Sequence, residues 1–423
     1  MILQHLLTVA ADLLYAVRTS GQEVDQALPR YFQDHARFGS RDRAAVADIV
    51  YNCLRHLRSL GYALGQPERP DWHLTKAESR TRVAAWMLLS GAWQSKEVRA
   101  ALDPSVDHLP ELCTTIPPPA VAADLPDWLY DSLTTVLGEG EVGSLAAALH
   151  QQAPLDLRVN TLRTTRSEVI RILHEDGIEA VPSPFSPVGV RLSARVSLGE
   201  HDLYRHGGIE IQDEGSQLIA LLLAPRRHEV VVDFCAGAGG KTLHLGAMMD
   251  DTGSLYAFDS ASRRLDQLRV RVERAGLRKV RIARVDALDA RSILALCGKA
   301  DRVLVDAPCS GTGTLRRNPD IKWRSHDLAA LTAEQQRILD AAATLVRPGG
   351  RLVYATCSFL REENEAVVAH FLAEHPEFVA ISPLSMTKRF GIACECPEDA
   401  PAMRLYPHRH GTDGFYAALL ERV

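Results

Sequence analysis

From His228 onward the chain repeats one unit, a short apolar run with a polar or acidic end followed by a helical stretch. The runs are Glu229–Cys235, Ser254–Asp259, Val280–Asp286, Asp301–Ala307 and Arg351–Thr356, with helical stretches such as Arg263–Ala275 and Ala329–Val346 between them. Strands that are Val, Ile or Leu almost throughout, rather than at alternate positions, are buried on both faces. The pattern therefore predicts a parallel sheet flanked by helices, an α/β domain over residues 226–423. Ligands of such sheets bind beyond the carboxyl ends of the strands, and the notable polar residues of this chain gather there.

Two other textures precede it. Over residues 136–225, Leu155–Val159, Ile178–Val181 and Val188–Leu192 read as strands and Ser167–Asp176 as a helix, predicting a small α+β module that ends near Pro225. Residues 1–135 are helical in spacing, as in Leu6, Leu7, Ala10, Leu13, Leu14 and Val17 or Val46, Ile49, Val50, Cys53, Leu54 and Leu57. Breakers interrupt them, chiefly Pro117–Pro119. Three domains suit a chain of 423 residues.

No apolar run approaches the roughly 18–20 residues of a membrane span; the longest, Leu218–Ala224, stops at Pro225. Asp12 and Arg18 interrupt the first apolar stretch, so no signal peptide is expected. Eight cysteines without disulfide-like spacing predict a reducing, cytoplasmic setting. Cys394 and Cys396 could form half of a metal site, but no second pair stands elsewhere and no metal is expected. A net charge of −5 excludes nucleic-acid binding by bulk charge, though not by a local basic surface. Arginine outnumbers lysine 41 to 7, which either a GC-rich genome or the use of planar guanidinium forks on phosphates accounts for.

The first run leads into Asp233-Phe234-Cys235-Ala236-Gly237-Ala238-Gly239-Gly240-Lys241-Thr242. A strand, a glycine turn and a helix bring backbone N–H groups close to a ligand. A phosphate-cradling loop needs glycine at position 235, and a dinucleotide fingerprint needs it at position 242, so both templates fail by one residue. The looser S-adenosylmethionine loop of Rossmann-like methyltransferases remains. Asp259 and Asp286 at the ends of the next two strands support it, the first for the ribose hydroxyls and the second for the adenine edge. Strand-end aspartates also cap helices, which is the competing account.

The fourth and fifth runs deliver Asp306-Ala307-Pro308-Cys309-Ser310-Gly311-Thr312-Gly313 and Tyr354-Ala355-Thr356-Cys357-Ser358. A lone cysteine is most often a small buried hydrophobe, but two at the open ends of adjacent strands are unusual. The strings DFCAGAGGKT, VDAPCSGTGTLRRNPDIKW and YATCSFLREENE resemble those of the RsmB/Sun family of RNA 5-methylcytosine methyltransferases. The likeness runs from Arg158-Val159-Asn160 through Gln212-Asp213-Glu214-Gly215-Ser216 to Asp413-Gly414-Phe415-Tyr416. One departure is Gly237-Ala238, where the family commonly has Ala-Pro. The helical first third, with Arg41-Asp42-Arg43 and Tyr51-Asn52-Cys53-Leu54-Arg55, is similar to the NusB-like domain of some members.

The resemblance implies a Rossmann-like class I methyltransferase domain at 226–423, an RNA-recognition-like module at 136–225 and a NusB-like RNA-binding domain at 1–135. It implies S-adenosyl-L-methionine as cofactor, held by Cys235, Ala236, Gly237, Ala238, Gly239, Gly240, Lys241, Asp259, Asp286 and Asp306. Carbon-5 of cytosine is too weak a nucleophile to take a methyl group unaided, and a thiolate adding to carbon-6 turns the ring into an enamine that can. The resemblance makes Cys357 that nucleophile, Cys309 the residue of product release and Asp306 a partner of the base. Lys241 either orients active-site groups or caps the loop. Arg316, Arg317, Lys322 and Arg324, interleaved with Trp323, read as a phosphate track with base stacking. The basic stretch Arg263–Arg284 reads either as a solvated helix face or as a further RNA contact. The expected partner is RNA, small-subunit ribosomal in the first instance and transfer RNA in the second, acted on by a monomer without membrane contact. The alternatives are a methyltransferase for another acceptor, which would need no thiol, and a non-catalytic assembly factor, which would not need Cys357 and Asp306.

Overall fold

The computed structural model describes residues 2–66, 68, 71–102, 109, 111–113, 115–285, 291–384, 388 and 402–423. Asp286, Cys394 and Cys396 lie outside the described residues. The chain divides into two units, one of residues 1–152 with 314–326 and the other of residues 153–313 with 327–423.

The first unit is helical, as the spacing predicts. Leu7, Ala10, Leu14 and Val17 bury one face of the helix Leu3–Ser20 against residues of Ser40–Arg55 and Lys76–Leu89. The last of these helices starts at a capping box, in which Glu78 N donates to Thr75 Oγ1 at 3.2 Å and Thr75 N donates to Glu78 Oε2 at 2.7 Å. The unit does not stop near residue 135. Helices Asp127–Leu137 and Glu139–His150 belong to it. Arg58 ties this stretch in, donating to Leu125 O at 2.6 Å and pairing with Asp127 at 2.8 Å.

The stretch Thr314–Arg324 reads in sequence as a phosphate track, and the structure corrects this. Trp323 is 2% exposed and sits in the core of the helical unit, its indole Nε1 donating to Leu54 O at 2.6 Å. Lys322 is buried and spends its ammonium on Arg55 O at 2.8 Å, while Arg18 donates to Trp323 O at 2.7 Å. Arg316 is buried, with its carbonyl taking a bond from Arg55 at 2.8 Å. Arg324 pairs with Asp320 and with Glu23. Arg317 is half-buried, and with Arg316, Lys322 and Trp323 buried the segment is an anchor and not a phosphate track.

In the second unit, β1 (Leu155–Val159), β2 (Ala180–Pro182), β3 (Gly189–Leu192) and β4 (Ile209–Ile211) form an antiparallel sheet in the order β2-β3-β1-β4. Helix Arg166–Glu175 follows β1 and the short helix Asp202–Arg205 precedes β4, giving the βαββαβ order of a ferredoxin-like module. The fourth strand has only three residues, too few for a readable alternation.

The larger sheet contains β5 (Val230–Asp233), β6 (Ser254–Asp259), β7 (Val280–Arg284), β8 (Ala300–Asp306), β9 (Val346–Thr356), β10 (Phe378–Ile381), β11 (Ala402–Leu405) and β12 (Phe415–Arg422). Its order is β10-β12-β9-β8-β5-β6-β7, with β11 pairing β12. Strands β5 to β9 are parallel, and β5, β8 and β9 are buried on both faces as expected, whereas the edge strand β7 is half-buried to exposed along its length. Val303, Val305, Leu352 and Tyr354 face one apolar layer, while Leu304, Val353 and Ala355 face the other. The sheet is not parallel throughout, because β12 runs antiparallel between β9 and β10. The chain reverses direction across the sheet at β5, between β6 and β8. That switch point of a Rossmann-like sheet is where a ligand cleft belongs.

All five tryptophans, Trp72, Trp86, Trp93, Trp128 and Trp323, lie in the first unit, so tryptophan fluorescence follows its unfolding alone. Trp323→Ala should cost that unit about 3–5 kcal/mol, read as a lower denaturant midpoint by fluorescence. An unchanged midpoint would mean that the indole contributes nothing to the core.

Candidate active site

A cleft of about 620 Å³ opens at the carboxyl ends of β5, β6, β8 and β9. The loop after β5 folds by glycine. Gly237 has φ +56° with open space where a Cβ would point, and Gly239 has φ +90° with Leu268 where its Cβ would be. Cys235, Ala236, Gly237, Ala238, Gly240 and Lys241 line the cleft, whereas Gly239 turns to Leu268 and shapes the loop from behind. Helix Gly240–Met248 starts here, with first-turn N–H groups that have no acceptor within the helix. Arg158 of the small sheet, 1% exposed, donates to Gly240 O and to Gln212 at 2.7 Å, which fixes the loop to that sheet.

Asp259 ends β6 and lines the cleft. Its Oδ2 accepts Gly237 N and its Oδ1 accepts Ala261 N, both at 2.8 Å. It therefore caps and steadies the loop, yet each carboxylate oxygen keeps a lone pair for a ligand hydroxyl.

Asp233, at the end of β5, is 1% exposed. Its Oδ2 accepts Thr242 Oγ1 at 2.6 Å, and its Oδ1 is buried with no partner among the described residues. Burial pushes its carboxyl up to about 7 against the Thr242 bond, with Asp306 adding to the rise. Sequence reasoning passed over Asp233, although the strand-end logic applied to Asp259 holds for it too. Gln212 and Ser216 also line the cleft, and only the family-like string drew notice to them.

Asp306 ends β8, and Lys241 Nζ donates to its Oδ2 at 2.6 Å. Burial opposes the Lys241 charge, but Asp306 outweighs it and Cys357 adds to the effect, so the ammonium is held above its ordinary range. Of the two readings of Lys241, the geometry favours orientation of active-site groups. Cys309 and Cys357 leave the ends of β8 and β9 with their sulfurs 3.4 Å apart, both in the wall of the cleft. Gly313 N donates to Cys357 O at 2.8 Å and Gly414 N donates to Gly313 O at 2.8 Å. A Cβ on Gly313 would strike Gly414 O, so this crossing admits only glycine. The hydrogen bond to Cys357, burial and Glu363 together raise the Cys309 thiol well above its ordinary value. Burial among Asp233, Asp306 and Asp259 does the same to Cys235, leaving it an inert thiol.

A switch-point cleft with a glycine loop, an acid at the end of β6 and reactive groups at the ends of β8 and β9 defines a Rossmann-like methyltransferase. The chain belongs to the 16S rRNA methyltransferase RsmB/F family, whose model matches residues 220–421. A second model, the RsmF/B-like ferredoxin-like domain, matches residues 125–199 and so also takes in the last two helices of the first unit. A probable ribosomal RNA small subunit methyltransferase B from Synechocystis sp. is 36% identical over 301 residues, 70% of this chain and 67% of that protein. The ribosomal RNA small subunit methyltransferase B of Erwinia tasmaniensis is 29% identical and covers 98% of both chains. The crystal structure of PH0851 aligns over 98% of this chain and 99% of that one, at 28% identity and a TM-score of 0.78.

The cofactor is S-adenosyl-L-methionine. The cleft fits it, since its volume falls within the roughly 300–1,000 Å³ of small-ligand pockets. Gly237 leaves the backbone open to close approach, and Asp259, with lone pairs beyond its two backbone bonds, would take the ribose hydroxyls. The bound group supplies an electrophilic methyl.

Two outcomes test these assignments. Asp259→Ala removes hydrogen bonds worth about 1.5–3 kcal/mol each when charge-assisted, so affinity for S-adenosylhomocysteine should fall at least about tenfold by calorimetry. Asp233 carries a carboxyl pushed up to about 7 in the folded state. Its contribution to stability is therefore full below the ordinary carboxyl range and is lost as pH rises through about 7. Asp233→Asn should gain stability over the wild type between pH 5 and pH 8, measured by circular dichroism in denaturant. An equal difference at both pH values would show that Asp233 is ionised throughout.

Proposed function

We propose that this chain transfers a methyl group from S-adenosyl-L-methionine to carbon-5 of a cytosine in small-subunit ribosomal RNA, through a covalent bond between Cys357 and carbon-6 of the base. The observation that carries the reading is the pair of thiols 3.4 Å apart in the cleft wall, beside the Lys241–Asp306 pair. Transfer to oxygen or nitrogen needs no thiol, whereas transfer to carbon-5 needs one to activate the ring. The ribosomal substrate is supported by the relatives, which are named for that RNA.

The surroundings of Cys309 raise its thiol and so favour its protonated form beside Cys357. The Cys357 thiolate adds to carbon-6, and the ring electrons pass to carbon-5, which takes the methyl. Asp306, held by Lys241, accepts from the exocyclic amine of the base. Cys309 serves the release: it gives its own proton to solvent and, as thiolate, takes the carbon-5 proton, whose electron pair restores the carbon-5–carbon-6 double bond as Cys357 departs as thiolate. The target cytosine must be unpaired or flipped out to reach the sulfurs.

Cys357→Ala should be inactive and form no covalent complex. Cys309→Ala should accumulate a protein–RNA species that survives denaturing electrophoresis, requires S-adenosylmethionine and vanishes in the double variant. A stable adduct from Cys357→Ala and none from Cys309→Ala would reverse the two roles. Bisulfite sequencing of ribosomal RNA from a deletion strain should show one cytosine losing its protection.

A further inference from the structure

Glu363 has no solvent exposure, and every hydrogen bond recorded for its carboxylate comes from a neutral group. Its Oε1 accepts Ser310 N at 2.8 Å and Gln335 Nε2 at 3.0 Å, and its Oε2 accepts Ser310 Oγ at 2.5 Å and Ser358 Oγ. Its backbone carbonyl accepts Tyr354 OH at 2.7 Å. A buried carboxylate is costly unless its lone pairs are met, and here the residues that meet them follow the two reactive thiols. Ser310 comes directly after Cys309 and Ser358 directly after Cys357. Gln335, from helix Leu328–Ala343, also donates to Pro308 O at 2.9 Å, so the same group of bonds holds both sides of Cys309. The neighbouring Asn364 takes Thr356 Oγ1 at 2.5 Å and donates to Ser358 O at 2.9 Å, bracketing Cys357 in the same way.

We propose that Glu363 is a positioning residue that joins the loops after β8 and β9 into one rigid piece and sets the separation of the two sulfurs. The assignment rests on the two-cysteine reading. A carboxylate is suited to the task because four donors converge on two oxygens, which a carboxamide, with one acceptor oxygen, cannot satisfy. Of the two thiols, Cys309 is the one whose raised value includes a contribution from Glu363.

The test compares Glu363→Gln and Ser310→Ala with the full-length wild type. Calorimetry with S-adenosylhomocysteine reports whether the cleft is intact, and both variants should bind within about threefold of wild type. The turnover number for methyl transfer to ribosomal RNA should fall at least tenfold in Glu363→Gln, with the KM for RNA unchanged. The pH profile of iodoacetamide alkylation, read at Cys309 by mass spectrometry, should move to lower pH in Glu363→Gln and stay in place in Ser310→Ala. A purely packing role would leave that profile where it was. Retained cofactor binding with unchanged turnover and unchanged profile would overturn the proposal. If Glu363→Gln loses the cofactor, Ser310→Ala decides, since an unchanged turnover there would equally overturn it. Absence of 5-methylcytosine in the wild-type product would instead overturn the function on which the proposal rests.

Discussion

The parallel pairing of β8 with β9 governs everything in the cleft. In the register that sets Asp306 opposite Ala355, the two strands end within a residue or two of each other, and their next residues must turn together. Ala307 N donating to Ala355 O at 2.8 Å carries the pairing one step past the strands. After that the two chains cannot separate, because Gly313 crosses Cys357 and Glu363 gathers both loops. The sulfur contact follows from the register. A one-residue slip would point the side chains of one strand at the opposite face, and no local adjustment of the loops would restore the cleft.

Much of this was legible in the sequence because the parallel strands are nearly continuous apolar runs. Ser254–Asp259 matches its strand end to end, and the helix after it begins one residue before the expected Arg263. The C-terminal strand was harder. Phe415–Arg422 is just as apolar, but nothing local marks it as an antiparallel insertion between β9 and β10, since direction is a property of the partner. Glu363 was equally silent. It stands in a string with Arg361, Glu362 and Glu365, which reads as a solvated stretch, and the partners that bury it come from residues 310 and 335.

The segment 314–326 shows the opposite failure. Alternating Arg, Lys and Trp has the composition of a nucleic-acid contact, and composition cannot tell a charged face from a charged rim around a buried anchor. What decides is whether backbone carbonyls are available to take the cationic heads. Leu54, Arg55 and Trp323 offer theirs, at the ends of helices where such groups lack partners within the helix. Lys322 and Arg18 then bury their stems along with the indole, much as long cationic side chains do when only the tip needs a polar neighbour.

That anchor makes the first 152 residues something other than an appendage. Part of the chain that forms the helical core is encoded more than 150 residues downstream, between the cysteine loop and the helix Leu328–Ala343. A gene trimmed to its methyltransferase half would still translate Leu315, Lys322 and Trp323, now with an apolar side and bare cationic heads turned to water. Evolution can shorten such a protein only by rewriting two places at once. The helical unit is in this sense woven into the chain at two places, residues 1–152 and 314–326.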